Sequence, residues 1–361
     1  MSPSPTDLLW SSLHLLTKER LEAIQHAYGS LEEATKHLDE QLLQELGCRA
    51  ETIQNSLPRA REFNAERYAR ALDEKDIRFL TLAEEDYPAR LKQIADPPPF
   101  LYAKGDLSIL DQPCIGMVGT REMSSYGRRV VLHFVPRFVA AGVVTVSGLA
   151  RGIDATVAEE TLAGGGKTVA VLGHGLGMIY PEENRRLADE IVGKGGLLLS
   201  EFPLTWNPDK YTFVARNRII AGLSLGTVVL EAPEGSGALL TAEFALEDGR
   251  DVFAVPGQVF DPNYVGCHAL IARGHAQLAT DPASVLRTIG VIASEQSSAV
   301  TFIPDSPDEK ILYALLTTMP QDIDTLVEKS GLEAGRINAA LTLMELADGV
   351  KNIGNGMWVR R

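Results

Sequence analysis

Only three cysteines stand in the 361 residues, Cys48, Cys114 and Cys267, far apart and without a CxxC pair. That spacing excludes a disulfide framework and a zinc finger, and it predicts a reducing, cytoplasmic setting. No run of about 18 uncharged apolar residues occurs, and the start "MSPSPTDLLW" has no basic segment ahead of an apolar one, so neither a membrane span nor an export signal is expected. The seven histidines show no HxxH or HExxH spacing, so no metal centre is expected. Positive charge is also scarce: 34 Lys and Arg face 48 Asp and Glu, for a formal net charge of -14. This excludes a general cationic coat for nucleic acid or anionic lipid, and a polyanionic partner would need a local site working against the global field. Finally, there is no GxxxxGK[ST], no GxGxxG, no nucleophile elbow and no visible carboxylate pair, so a binding site is more economical than a catalytic one and no cofactor is expected.

What is present divides into parts. Residues 1–76 read as short helices, with Ser, Thr or Asp before several and Gly after, which matches cap chemistry. Such a module is either of the sterile-alpha-motif or helix-hairpin-helix class or a plain interaction bundle. Residues 77–290 change to short apolar runs such as "CIGMVG", "VVTVSG", "KTVAVLG" and "GTVVLEA" alternating with helical periodicity. Valine, isoleucine and leucine without alternation mark strands buried on both faces, so the expected fold is α/β: an extended Rossmann-like, largely parallel, doubly wound sheet. Residues 291–306 turn to Ser, Pro and acids and read as a linker. Residues 307–361 read as three helices and a hairpin turning at Asn355-Gly356, a winged helix.

In an open parallel sheet ligands lie beyond the carboxyl ends of the strands, so the residues after each apolar run carry the information. Here they are "GTREMSSYG" from Gly119, "SGLARGID" from Ser147, "GHGLGMIYP" from Gly173, "SEFP" from Ser200, "EAPEGSGALLTAE" from Glu231 and "VPGQVF" from Val255. Gly119, Gly148, Gly152, Gly173, Gly175 and Gly237 permit close backbone approach, and the following helices aim free amides at the crevice. The plain alternative for any one of them is a tight turn. Thr120 and Arg121 sit at the first turn, Ser124 or Ser125 caps the next helix beside Tyr126, and Arg151 ends another strand; Ser236 opens a further helix. Between residues 121 and 151 five arginines face the single acid Glu122. A second basic group, Lys210, Arg216 and Arg218 with Asn217 and Phe213, joins arginine forks for phosphate to an aromatic face for a base. On residue chemistry an equal alternative is that Phe213 is core and these arginines pair with Glu201 or Glu231.

These stretches, together with "DYPARLKQIADPPPFLYAKGD", "FVARNRIIAGLS" and "GCHALIARGHAQL", resemble the DNA-processing protein A family (DprA, also called Smf) over about residues 77–290. The resemblance implies a cytoplasmic protein that binds single-stranded DNA, protects incoming strands in natural transformation and loads the RecA recombinase. It also implies homodimerisation through the core, contact with single-strand-binding protein and no membrane association. By the motif match, the Arg121 turn, the "GLARGID" loop and the "FVARNR" segment line the DNA pocket, where the family often has Pro in place of Val214 or Ala215. A confined positive groove is then expected within the acidic exterior. The weighed alternative is a nucleoside-monophosphate phosphoribohydrolase-like enzyme of the lysine-decarboxylase-like group, with Glu243 as its carboxylate.

The winged helix carries nine acids and six bases from Asp305 to Arg361, and its recognition helix, residues 333–346, has Arg336 as its lone cation. Reading a duplex in the major groove would want more, so a protein-contact or regulatory role is expected, with Trp358 packing the hairpin.

Overall fold

A computed structural model describes residues 3–291, 302, 304–347, 349–354 and 356–360. The chain forms two compact units, residues 1–293 and 294–361. The first opens with six helices: α1 (Pro5–Leu13), α2 (Lys18–Tyr28), α3 (Leu31–Lys36), α4 (Glu40–Glu45), α5 (Ala50–Glu62) and α6 (Ala65–Asp73). Thr17, Ser30, Asp39 and Asn64 each cap one of them by accepting the backbone amide three residues on. The charged stretch after Pro58 is divided between two helices. Helix α5 begins at Ala50 and contains Pro58, and the extended backbone at Phe63 ends it before Asn64 caps α6.

The helices share their core with the sheet. Leu8, Trp10, Leu13, Ile24 and Leu43 belong to one apolar cluster with Tyr102 and Leu198 of the strands. Within it the Tyr102 hydroxyl bonds to both Ser11 and Tyr68, and Trp10 is fully buried with its ring nitrogen donating to Thr35 Oγ1 at 2.8 Å.

Nine strands follow: β1 (Arg78–Thr81), β2 (Phe100–Gly105), β3 (Cys114–Gly119), β4 (Val144–Ser147), β5 (Thr168–Val171), β6 (Leu197–Ser200), β7 (Gly226–Glu231), β8 (Asp251–Ala254) and β9 (Gln277–Leu278). They form one sheet in the order β1-β2-β6-β5-β4-β3-β7-β8-β9. Strands β3 to β9 pair in parallel, while β1 and β2 are added antiparallel at the β6 edge. The helices between them are α7 (Ser125–Ala140), α8 (Ile153–Ala163), α9 (Arg185–Gly193), α10 (Lys210–Leu223), α11 (Gly237–Glu247), α12 (Val265–Ala272) and α13 (Pro282–Thr288). Strands β4, β5 and β6 are buried at every residue, which is why their sequences carry no alternation. The chain fans outward from β3 to β6, then returns so that β7 pairs with the free side of β3. A crevice must open where the connections diverge, between β3 and β7.

The second unit contains α14 (Pro307–Leu315), α15 (Ile323–Ser330) and α16 (Ala334–Leu346) with a sheet in the order β10-β12-β11, from β10 (Gln321–Asp322), β11 (Val350–Asn352) and β12 (Met357–Arg360). Gln321 and Asp322 form a short strand, and Asp322 caps α15. Trp358 is buried with Ile337, Leu341 and Val350. Arg336 is held by the Asp308 carboxylate at 2.9 Å, so the recognition helix presents no uncommitted guanidinium. Asn355 of the expected hairpin turn, and residues 292–301 and 303 of the expected linker, lie outside the described residues.

Because helices and sheet share one apolar cluster, Trp10→Ala should lower the stability of the first unit by about 3–5 kcal/mol and move a single unfolding transition. Urea unfolding followed by far-ultraviolet circular dichroism checks this; separate early loss of the helices would contradict a shared core.

Candidate functional site

A cavity of about 900 Å³ opens at the carboxyl ends of the strands, spanning the β3–β7 crevice and the ends of β4 to β6. Its floor is built on Arg216, which is 4% exposed in the second turn of α10. The guanidinium donates to the Val171 carbonyl at the end of β5 and, at 3.2 Å, to the Asn217 side-chain oxygen. A methyl at Gly148 would overlap this guanidinium, so the loop after β4 can pass only as glycine. Asn217 donates in turn to the Gly237 carbonyl at the start of α11, at 3.2 Å. Beside them Asp154 is buried and accepts the amides of Gly148 at 3.1 Å and Ala150 at 3.4 Å. Burial lowers Arg216 to about 10 against the pull of Asp154, leaving it cationic at neutral pH. Burial raises the Asp154 carboxyl, and the Arg216 charge and the loop amides oppose that rise.

One wall is aromatic. Phe213 lies one turn ahead of Arg216 on α10, with the Arg121 guanidinium 5.2 Å from its ring centre and the Tyr180 ring 5.8 Å away. Arg121 reaches this position because Gly152, at φ +71°, lets the loop after β4 pass against the backbone of Thr120 and Arg121. Thr120 is fixed by its amide donating to the Glu231 carbonyl at 2.8 Å, and Gly119 packs on Ile153. Opposite stand Ser236, which caps α11, and Gly237. Lys210 begins α10 and is exposed at the mouth. Thus Gly119, Thr120, Arg121, Lys210, Phe213, Arg216, Asn217, Ser236 and Gly237 all line the cavity. Gly148, Gly152, Gly173 and Gly175 lie behind it, the last two packed against Phe213 and Pro203.

The charge differs from the expected positive groove. Arg121, Lys210 and Arg216 share the lining with Glu122, Asp154, Asp209 and Glu234. Asp209 is spent on capping α10, accepting from the Tyr211 amide at 2.8 Å, and Asp154 on the loop amides. Glu122 and Glu234 are exposed, as are Arg121 and Lys210, so the accessible cations of the lining are those two.

Four expected site residues do other work. Ser124 caps α7, accepting the Gly127 amide at 2.9 Å, and Tyr126 donates to the Pro256 carbonyl at 3.0 Å. Arg151 is exposed and paired with Glu183 at 2.6 Å, outside the cavity lining. Arg218 follows the pairing alternative: it donates to both Glu201 carboxylate oxygens at 2.6 and 2.8 Å and reaches Asp96 at 3.3 Å, away from the cavity. Two residues along a helix turn by about 200°, so Arg216 and Arg218 must leave α10 on opposite sides. Both lie past the first turn of α10, which starts at Lys210. Tyr180 and Asp154, which line the cavity, went unnoticed because an aromatic late in a long loop and an acid opening a helix carry no distinct pattern. Glu243 lines a separate groove with Leu239 and His275, so the phosphoribohydrolase alternative is not favoured.

A doubly wound sheet with a cation–aromatic cavity at its switch point defines a Rossmann-like ligand-binding protein. Residues 78–290 match the DNA recombination-mediator protein A family and residues 296–356 the DprA winged helix domain, so the chain belongs to this family of DNA-processing proteins. It is 35% identical over 327 residues to Protein Smf of Escherichia coli, covering 89% of this chain and 87% of that one. The X-ray structure of DNA processing protein A from Streptococcus pneumoniae is similar with a TM-score of 0.65 at 34% identity, over 80% of this chain and 98% of that one. DNA processing protein A from Helicobacter pylori, whose structure was described for its single-stranded DNA binding mode, aligns with a TM-score of 0.53 at 29% identity, over 59% and 95% of the two chains.

Removing Arg218 would leave Glu201 as an uncompensated buried charge, so Arg218→Met should destabilise the first unit by about 3–5 kcal/mol at neutral pH. Burial favours a raised Glu201 pKa, but the charge and hydrogen bonds of Arg218 overcome it and hold the carboxyl below its ordinary value. The pair's contribution is therefore complete above the unfolded carboxyl value near about 4.3 and is lost as pH falls through the lower folded value. Urea unfolding of both proteins down to about pH 3 should show their difference shrinking; a constant difference would refute this account.

Proposed function

We propose that the chain binds single-stranded DNA in the cavity at the β3–β7 crevice, protects incoming strands in natural transformation and loads the RecA recombinase onto them. The observation that carries the binding reading is the Arg121 guanidinium over the face of Phe213, with Lys210 at the mouth. A cation beside an aromatic face takes a phosphate and its neighbouring base together, and a base offers that face only when unpaired. The Helicobacter pylori relative's single-stranded DNA binding supports the same ligand class. Tyr211, 83% exposed next to Lys210, adds a further ring at the approach. The reading is of a binding protein rather than an enzyme, working in the cytoplasm as a homodimer, with single-strand-binding protein as a further partner. Among the described residues no helix is long and apolar enough to cross a membrane.

With two exposed cations at the cavity, Arg121 and Lys210, affinity for labelled oligo-dT should fall with salt at a log–log slope of about -1.4, since single strands give about -0.7 per phosphate contact. Phe213→Ala should weaken binding by about 1–3 kcal/mol with the slope unchanged, and Arg121→Glu should weaken it and flatten the slope. Fluorescence anisotropy titrations check all three; wild-type affinity in both variants would remove the cavity from strand binding.

A further inference from the structure

The loop after β5 carries a histidine that the site as described does not use. His174 is 1% exposed, and both ring nitrogens are engaged. Nδ1 lies 3.0 Å from the Gly175 carbonyl, and Nε2 lies 3.2 Å from the Tyr180 amide. A carbonyl can only accept and an amide N–H can only donate, so the ring is neutral with its proton on Nδ1 and its lone pair on Nε2. The ring thus spans its own loop from Gly175 to Tyr180. The loop is wedged behind: Gly175 abuts Pro203 and Leu204, Gly173 abuts Phe213, and the Ser200 hydroxyl donates to the His174 carbonyl at 2.7 Å. Tyr180 itself is 48% exposed, lines the cavity and stands 5.8 Å from Phe213, ring centre to ring centre.

We infer that His174 is a positioning residue: its Nε2–amide hydrogen bond holds Tyr180 opposite Phe213 as the second aromatic wall of the strand-binding cavity. This rests on the cavity being the site proposed above. A proton on Nε2 would set donor against donor, break the bond and release Tyr180. Burial keeps the imidazole below the ordinary histidine value, against the Gly175 carbonyl, which favours the cation. Of the groups around the loop, Arg216 on α10 further disfavours protonation and the Tyr180 phenol is on the loop itself. Glu201, after β6, is turned to Arg218, and His14 packs on the far side against Phe202 and Trp206. Among the described residues no carboxylate therefore stabilises a charged His174 in place, and protonation must disrupt the loop.

The test uses the full chain, labelled oligo-dT and an abasic strand of equal length, at about pH 7.5 and about pH 5. Acid makes the protein less negative and would by itself strengthen DNA binding. The wild type should instead lose its preference for oligo-dT over the abasic strand at the lower pH. His174→Gln, which keeps an acceptor and a donor but cannot titrate, should retain the preference at both. His174→Phe should lose the preference about tenfold at the higher pH with an unchanged salt slope. An acid response in His174→Gln equal to the wild type's, or full preference in His174→Phe, overturns the inference. If the wild type binds neither strand at either pH, the strand-binding reading falls and this inference with it.

Discussion

The cavity depends on one buried cation. Arg216 cannot reach water, so its guanidinium must be satisfied by protein, and the groups that satisfy it are the ends of separate elements: the Val171 carbonyl closing β5, Asn217 on its own helix, and the field of Asp154 at the start of α8. Asn217 extends the link to Gly237 on α11. Loops that would otherwise be independent are thereby fixed to one centre. Removing space is as important as supplying charge, since Gly148 and Gly152 are where backbone meets a guanidinium and another loop. A buried cation that is hydrogen-bonded but not directly ion-paired is costly, and such cost is ordinarily retained where it organises a site.

Arg218, two residues along, makes a contrast of purpose. It is locked to Glu201 and Asp96 and secures α10 to the segment after β6 and to the loop carrying Asp96. One helix thus uses one arginine to build the cavity floor and another to anchor itself. Anchoring matters because Phe213, the aromatic wall, is carried by the same helix. On the far side of the sheet, the six amino-terminal helices share a core with the strands, so they are part of the scaffold and not a detachable appendage.

Charge has a smaller role than the family of ligands suggests. The exterior is acidic, and within the cavity three cations stand among four carboxylates. On the proposed reading attraction is therefore local, on the Arg121–Lys210 side, and the aromatic pair Phe213 and Tyr180 would supply much of the recognition. An acidic surface of this kind disfavours nonspecific duplex adsorption, which depends on summed positive field. The winged helix follows the same rule, for its recognition helix has its one cation tied to Asp308.

The inner strands were legible because residues buried on both faces admit only apolar runs, and the loops after them were legible because topology puts ligands there. That sufficed for the fold and for the lining positions Arg121, Lys210, Phe213 and Asn217. Boundaries such as the break at Phe63 were not, since local cap chemistry competes with a continuous charged pattern. Which of two neighbouring arginines faces the cavity depended on helix phase, and Glu201 awaiting Arg218 is a contact of sequence-distant groups. Tyr180 likewise meets Phe213 only in the folded chain, on a loop whose amide bonds to His174 and whose Gly175 abuts Pro203 and Leu204. Burial pattern and topology are written along the chain, whereas the partners of a charged or aromatic side chain are chosen by elements that meet only when it folds.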